Sequence, residues 1–259
     1  MTPLQQEYLG ISKGIVSILD NIKENVEQYP DYLGWLDLKS PLLGEPEILF
    51  VGINPGPGRF ILWNRNNWDG KAKRLLDPSK KLIPEDFPCL WRSRLQWFAF
   101  DNARKKGEWW DLTKEKRNHY PYYMCELLVR IYRHEFPATT TTRQELTEII
   151  EKRVMDTNLF PMSTQNIQGL NSIIRKYDKE NHSGVRDICH KHIRDLVKLT
   201  KPRCVVLLGA AVYHELSNDL KEMAIPFYCV NRQLGWHSEQ NIKRMADDIY
   251  DLIHKSKSK

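Results

Sequence analysis

The sequence predicts an α/β fold, in the form of a three-layer α/β/α domain with a central, four-stranded, mainly parallel sheet. Four short apolar runs have the length and composition of strands that are buried on both faces. Amphipathic segments with the three- and four-residue spacing of helices alternate with these runs, which favours parallel strands with helices on both sides. No internal repeat and no linker interrupts the chain, so we expect one domain over residues 1–259.

The predicted elements can be placed in order along the chain. The strands occupy residues 47–53, 154–161, 205–211 and 226–231, and the third turns directly into a helix through Tyr213 and Leu216. Helical spacing predicts further helices at residues 4–26, 91–99, 122–134, 143–152, 184–199 and 238–254. Six of the eight tryptophans, all but Trp35 and Trp236, lie between residues 54 and 121, where no second strand is evident. Residues 59–121 are therefore predicted to form a Trp-rich insertion on the same domain.

Composition narrows the class of protein. No apolar run approaches the roughly 20 residues of a membrane-spanning helix, and the N-terminus lacks the basic and apolar segments of a signal peptide. The five cysteines are widely spaced and form no Cys-x-x-Cys pair, so we expect no metal site and a reducing, cytoplasmic (intracellular) location. The net charge of +6 favours a polyanionic partner only weakly, because the segment Lys255–Lys259 supplies three of the charges.

The most informative segment is Ile48–Gly58, in which the first strand ends in Gly52-Ile53-Asn54-Pro55-Gly56-Pro57-Gly58. A loop that follows a buried parallel strand lies at the carboxyl edge of the sheet, where open α/β folds bind ligands. Glycines in this loop let a ligand approach the backbone, and Asn54 offers an uncharged amide. The spacing matches neither a phosphate loop nor a dinucleotide-binding fingerprint. The alternative is a rigid turn that only reverses the chain.

The segment Gly52–Gly56 resembles the first active-site motif of the uracil-DNA glycosylase superfamily, and is most similar to its mismatch-specific and single-strand-selective monofunctional branches. The resemblance implies a uracil-DNA-glycosylase-like domain that hydrolyses the bond between a flipped pyrimidine base and its sugar in DNA, leaving an abasic site. Asn54 matches the water-handling position, which is aspartate in another branch. An amide cannot act as a general base, but its carbonyl oxygen can orient a water.

The segment Thr157–Met162, at the end of the second strand, resembles one in the single-strand-selective branch whose asparagine reads the Watson–Crick edge of the flipped base. The amide of Asn158 has the acceptor and donors that pair with O4 and N3–H of uracil, or, turned over, with a cytosine-like base. The resemblance also assigns Gly52 and Gly56 to base recognition. The alternative for Asn158 is that it caps its own loop backbone.

The segment Asn231–Glu239 follows the fourth strand and matches the family's His-Pro-Ser motif at His237 and Ser238, without the proline. The family's histidine donates to O2 of the base, where negative charge grows as the bond breaks, and a neutral imidazole near a helix N-terminus can do this. Ser238 also fits the N-cap of the last helix. The alternative for His237 is an exposed loop histidine. Such an enzyme would be monofunctional and would need no metal or other cofactor.

Cations and aromatic residues are interleaved in Arg59–Trp68, a composition that suits stacking on an extruded base and contact with phosphates. The family places a stacking aromatic residue after the first motif, and the candidates here are Phe60, Trp63 and Trp68, with Trp68 at the most family-like distance. The predicted DNA contacts are Arg59, Arg65, Arg232 and Ser238. The alternative is that these aromatic residues form the local core of the insertion.

Four functions remain open at this point. The first is excision of uracil or a related damaged base from single- or double-stranded DNA. The second is the same chemistry on a larger, hypermodified phage base in a defence role, which the aromatic insertion and the altered third segment favour. The third is a catalytically silent nucleic-acid binder with this fold, which fits the missing proline. The fourth is a nucleotide-binding α/β protein outside the family, and the absence of a phosphate loop argues against it. No membrane partner is expected.

Overall fold

The computed structural model describes residues 2–32, 34, 35, 38, 40–54, 119–164, 166–230 and 238–255, and the structural statements below concern these residues. The strands are β1 (Gly34–Trp35), β2 (Ile48–Gly52), β3 (Val154–Asn158), β4 (Met162–Ser163), β5 (Cys204–Leu207) and β6 (Phe227–Cys229). The helices are α1 (Pro3–Glu24), α2 (His119–Arg133), α3 (Arg143–Glu151), α4 (Ile167–Asn181), α5 (Val185–Thr200), α6 (Ala210–Glu222) and α7 (Glu239–Lys255).

Four strands form a central, all-parallel sheet in the order β3-β2-β5-β6. The strand β2 pairs with β3 in register from Ile48↔Val154 to Gly52↔Asn158, and with β5 along Ile48–Val51. Both β2 and β3 are buried over their whole length, which explains the continuous apolar run in β2. The predicted α/β class and the four-stranded parallel sheet are therefore confirmed.

Helices α1, α4, α5 and α6 pack on the first face of the sheet. The buried side chains on this face include Ile15, Ile193, Leu216, Leu49 and Val51. The helix α1 begins with a capping box, in which Thr2 Oγ1 accepts from the Gln5 amide at 3.2 Å and Gln5 Oε1 accepts from the Thr2 amide at 2.8 Å. The predicted N-terminal helix therefore exists and covers the core.

Helices α2, α3 and α7 pack on the second face. The buried side chains on this face include Leu127, Ile150, Ile249, Ile48 and Phe50. Alternate residues of β2 thus point to opposite faces, as the two-residue period of a strand requires. Helices flank the sheet on both sides in the part of the chain that the structure describes.

Residues before β2 cover the outer side of β3, which is an end strand of the sheet. The short strands β1 and β4 pair antiparallel, and Leu38 forms an isolated bridge with Thr157. The hydroxyl of Ser40 accepts a hydrogen bond from the Asp156 amide at 2.9 Å. This cover, which was not predicted, satisfies backbone groups that an exposed edge strand would present to other chains.

The boundaries differ from the prediction at several places. The strand β3 ends at Asn158 and not at residue 161, although the amides of Leu159 and Phe160 still donate to the carbonyls of Gly52 and Ile53. The helix α4 was not predicted, and the helix predicted at residues 91–99 lies outside the described residues. The other predicted helices agree with the structure to within three residues at each end.

The direct turn from β5 into α6 was predicted and is confirmed. The turn passes through Gly209, whose φ of 114° is a conformation that favours glycine.

Because the four strands of the central sheet are parallel, they all end at one edge of the sheet, which we call the carboxyl edge. They all begin at the opposite edge, which we call the amino edge.

A network of ion pairs holds the amino edge. The carboxylate of Glu47, just before β2, accepts from Tyr132 Oη at 3.0 Å, from Arg203 at 3.2 Å and from Arg153 at 3.5 Å. Arg153 also binds Glu135 at 3.0 Å. Burial, followed by the nearby Glu47 carboxylate, raises the pKa of the Tyr132 phenol above its usual range. The network therefore ties α2 to the starts of β2, β3 and β5.

The helix α7 runs from the carboxyl edge back to the amino edge. It follows β6, and in its last turn His254 Nε2 lies 2.9 Å from the Glu135 carboxylate, which binds Arg153 of the amino edge. Near its middle, Asp248 accepts from Tyr228 Oη at 3.0 Å. The N-terminus of α7 therefore lies toward the carboxyl edge, where β2 and β3 end.

Candidate active site at the carboxyl edge

The carboxyl edge brings the first and second sequence motifs together. Gly52 ends β2 and Asn158 ends β3, and the two residues are register partners in the parallel ladder. The pairing continues beyond the strands, because the Leu159 amide donates to Gly52 O at 2.8 Å and the Phe160 amide donates to Ile53 O at 2.9 Å. Two segments separated by about a hundred residues are thus adjacent at this edge, as the strand-end placement predicted.

The side chain of Asn54, half-buried after β2, is held by two acceptors. Its Nδ2 donates to Thr164 Oγ1 at 2.9 Å and to the Met162 carbonyl at 3.3 Å. Thr164 in turn donates its hydroxyl hydrogen to the Asn166 carbonyl at 2.7 Å. The amide of Asn54 is therefore bound to the segment that joins β3 to α4.

Asn158 is fully buried, with none of its surface exposed. The core residue Val154 packs on the second face, and because strand residues alternate, Asn158 and Asp156 point to that face as well. Gly52 is the register partner of Asn158 on β2 and has no side chain, so β2 places no side chain directly beside Asn158. A base could reach the Asn158 amide only if the atoms that now cover it move aside.

Two polar residues of this region were not among the predicted site residues. Thr164 is 1% exposed and binds Asn54, and Asp156 is also 1% exposed and lies two positions before Asn158 on the same face of β3. A feature of the sequence could have identified each of these two residues. Asp156 places a carboxylate inside an otherwise uncharged strand, and Thr164 belongs to the polar run that follows Pro161.

Ser238 occupies the N-cap of α7, as predicted. Its carbonyl accepts from the Ile242 amide at 3.1 Å, and its hydroxyl accepts from the Asn241 amide at 3.4 Å. The first turn of α7 is tied to α2 by an ion pair of 2.9 Å between Arg130 and Glu239. The partial positive charge of this helix N-terminus therefore lies next to Ser238.

The thiol of Cys229, at the end of β6, also lies at this edge. Burial raises its pKa above the usual range, against a smaller opposing effect of the hydrogen bond from the Gly209 backbone. Cys229 is therefore a neutral thiol near pH 7 and lacks the thiolate character of a catalytic nucleophile.

Several predicted site residues lie outside the described residues, so their positions remain predictions. They are Gly56, Arg59, Phe60, Trp63, Arg65, Trp68, Arg232 and His237. The structure thus brings Gly52, Asn54 and Asn158 to one edge, with Ser238, the neighbour of His237, starting a helix at that edge.

Comparisons with known proteins give no family assignment. No protein-family model matches the chain, and no curated protein matches it significantly. Within the described ranges, no three His, Cys, Asp or Glu side chains are grouped so that they could hold a metal ion. None of the helices described above is long and apolar enough to cross a membrane.

Proposed function

We propose that the protein is a monofunctional DNA glycosylase of the uracil-DNA glycosylase type, which flips an aberrant or modified pyrimidine out of DNA and hydrolyses its N-glycosidic bond. The observation that carries the proposal is the register pairing of Gly52 with Asn158. It makes neighbours of the two segments that resemble the water-handling and base-reading motifs of that superfamily. The all-parallel sheet, with helices on both faces, is compatible with the domain that the resemblance implies.

In this proposal Asn54 orients the attacking water. Its Nδ2 donates to two protein acceptors, so the amide would meet a ligand through Oδ1, which has two lone pairs. A water that donates to Oδ1 would be aimed at C1′ of the sugar. Because an amide does not take up the proton, most of the rate enhancement has to come from stabilising the departing base.

His237 is proposed to supply that stabilisation. Its imidazole would donate to O2 of the base while the C1′–N bond breaks and the electron pair moves to the base. The water oxygen then bonds to C1′, and the released proton neutralises the base. In this proposal His237, which immediately precedes the N-cap Ser238 of α7 in the sequence, acts as a neutral imidazole.

Asn158 is proposed to read the base, and the insertion to contact the DNA. An amide that pairs with O4 and N3–H selects uracil-type pyrimidines, and the opposite orientation of the amide selects cytosine-type ones. The six tryptophans between residues 54 and 121 favour a second candidate substrate, a pyrimidine that carries a sugar, since aromatic faces pack against sugars. A repair enzyme and a defence enzyme would differ in this substrate and not in the chemistry.

The test is an incubation of the protein with four sets of oligonucleotides, followed by alkali, which cleaves abasic sites. The sets carry uracil in single strands, uracil in duplexes, a glycosylated pyrimidine in duplexes, and unmodified bases. We expect strand cleavage with at least one modified set and none with the unmodified set. An Asn54→Ala variant, purified in parallel, should lose most of the activity, which separates it from a contaminating glycosylase. Binding to DNA without any cleavage would favour the silent binder and overturn the proposal.

A further inference from the structure

The hydrogen bonds around Asn54 determine which way its amide faces. Thr164 Oγ1 lies 2.7 Å from the Asn166 carbonyl, which can only accept, so the single hydroxyl hydrogen of Thr164 is used there. Towards Asn54, 2.9 Å away, the hydroxyl must therefore accept. The atom of Asn54 that faces Thr164 is thus Nδ2. The Met162 carbonyl, 3.3 Å from the same atom, requires the same orientation independently.

The residues behind Thr164 are fixed by the first turn of α4. Asn166 is the N-cap of this helix, its Oδ1 accepts from the Gly169 amide at 2.9 Å, and its carbonyl accepts from the Leu170 amide at 3.3 Å. Leu170 is fully buried in the core of the first face. The hydroxyl of Thr164 therefore joins the Asn54 amide to a rigid helix terminus.

We propose that Thr164 is a positioning residue of the carboxyl-edge site. Its hydroxyl holds the Asn54 amide so that a ligand meets the acceptor Oδ1 and not the NH₂ group. The group that binds Asn54 is then a hydrogen-bond donor, such as a water molecule or an N–H group. The role of that donor in base release rests on the proposed function, whereas the orientation of the amide does not.

Two variants of Thr164 separate the hydroxyl from the shape of the side chain. Thr164→Val keeps the shape and removes the hydroxyl, and Thr164→Ser keeps the hydroxyl. Thr200→Val is the matched control, because Thr200 is also fully buried and also donates to a backbone carbonyl, that of Leu196 at 2.8 Å. Thr200 lies at the amino edge, where its own carbonyl accepts from the Glu45 amide at 2.7 Å.

The orientation is measured by NMR on protein labelled with ¹⁵N at asparagine, in which the side-chain signals of Asn54 are assigned by their loss in Asn54→Ala. We expect Thr164→Val to shift one of the two Nδ2–H signals of Asn54 and to speed its exchange with water. The signals should remain unchanged in Thr164→Ser and in Thr200→Val. Unchanged Asn54 signals in Thr164→Val would overturn the proposal.

The positioning role is measured as the single-turnover rate of base release on an oligonucleotide that the parent cleaves. We expect Thr164→Val to be slower by up to about 100-fold, the effect of misplacing a catalytic group by about 1 Å. Thr164→Ser and Thr200→Val should retain the parent rate. An unchanged rate in Thr164→Val, with shifted Asn54 signals, would overturn the positioning role. If the parent cleaves no oligonucleotide, the proposed function fails, and the NMR comparison still decides the orientation.

Discussion

At the amino edge of the sheet, Glu47 binds one tyrosine and two arginines from three separate segments of the chain, and all but one tenth of its surface is buried. Around Asn54 at the carboxyl edge, the contacts are between a neutral amide, a hydroxyl and backbone carbonyls. Removing Glu47 would leave the buried Tyr132 hydroxyl and two partly exposed arginines without their shared acceptor, so substitutions at the amino edge should destabilise the protein. Neutral donors and acceptors can match the uncharged edge of a base, which is what the proposed function requires of the carboxyl edge.

The two edges should therefore respond differently to substitution. For a glycosylase, substitutions at the carboxyl edge should change the rate of base release and lower the free energy of unfolding by no more than about 2 kcal/mol. Substitutions at the amino edge should lower the free energy of unfolding and leave that rate unchanged.

The largest effect is expected from His237→Ala. Loss of one donor to a developing negative charge typically lowers the rate by about 10²–10³-fold, whereas the affinity for DNA should change little, because the bond strengthens only as the base departs. Single-turnover kinetics on a confirmed substrate measure the rate. His254→Ala, which removes a histidine of the amino edge 2.9 Å from Glu135, is the control and should keep the parent rate. If His237→Ala also keeps it, the donor is another residue, with Ser238 and Gln233 next to be tested.

The next largest effect is expected from Glu47→Ala. The substitution leaves the buried Tyr132 hydroxyl and two arginines without their shared acceptor, and we expect the free energy of unfolding to fall by about 2–3 kcal/mol. Urea unfolding measures this change. Glu47→Gln keeps an acceptor for Tyr132 and should lose less. A lower rate of base release in the folded Glu47→Ala variant would remove the functional distinction between the two edges.

A third effect concerns the insertion, whose candidate residues lie outside the described ones. If Phe60, Trp63 or Trp68 stacks on the flipped base, one of the three alanine variants should lose about 1–3 kcal/mol of substrate discrimination. Alanine variants of Arg59 and Arg65 should instead weaken binding to every sequence and reduce its salt dependence. Affinities for modified and unmodified oligonucleotides at several salt concentrations measure both. Parent-like behaviour of all five variants would make the insertion a region of local packing.

A smaller effect is expected from Asn54→Asp. This substitution introduces the carboxylate found at the matching position in another branch of the superfamily that the sequence resembles. Here a carboxylate oxygen would replace Nδ2 beside the Met162 carbonyl and Thr164 Oγ1, and would repel the carbonyl. We expect the free energy of unfolding to fall by about 1–2 kcal/mol, the typical result of removing one partner of a buried hydrogen bond. The rate of base release should not rise. A faster Asn54→Asp enzyme would show that Thr164 and Met162 tolerate an anion.

The smallest effect is a pH dependence at the amino edge. A tyrosine in the unfolded chain ionises near pH 10, whereas burial and the Glu47 carboxylate raise the pKa of Tyr132 in the folded protein. The contribution of Tyr132 to stability is therefore complete below pH 10 and is lost as the pH rises above it. Tyr132→Phe should be less stable than the parent by about 1 kcal/mol at pH 7, and this difference should shrink above pH 10. Urea unfolding at pH 7, 9 and 10.5 tests it, and a constant difference would contradict it.

Part of the fold could be read from the sequence because local pattern and tertiary position agree there. The run Ile48–Val51 is apolar because β2 is buried on both faces. The end of this run marks the end of the strand, and Asn54 follows two residues after Gly52. The helix α4 was missed although Leu170, Ile173 and Ile174 have helical spacing, because its many polar residues and Gly169 weaken the apolar signal. The spacing nevertheless produces one buried stripe.

The contact between Thr164 and Asn54 could not be predicted in the same way. It depends on the chain turning back after Pro161, so that Met162 and Ser163 pair with Trp35 and Gly34. That pairing joins segments more than one hundred residues apart, and neither has the apolar alternation that identifies a strand. Local pattern therefore identified the strand ends and the side-chain amides of Asn54 and Asn158 near them. It did not identify Thr164 and Met162, which orient the amide of Asn54.

The central position of β2 has a consequence for how the chain folds. Its partners β3 and β5 are each more than one hundred residues further along the chain, whereas β5, α6 and β6 are contiguous and can assemble locally. Pairings between distant segments slow folding, since a long loop has to close before the contacts form. During synthesis β2 emerges long before either neighbour, so a partly made chain exposes this apolar strand. The newly made protein is therefore expected to depend on chaperones until residues near 207 have left the ribosome.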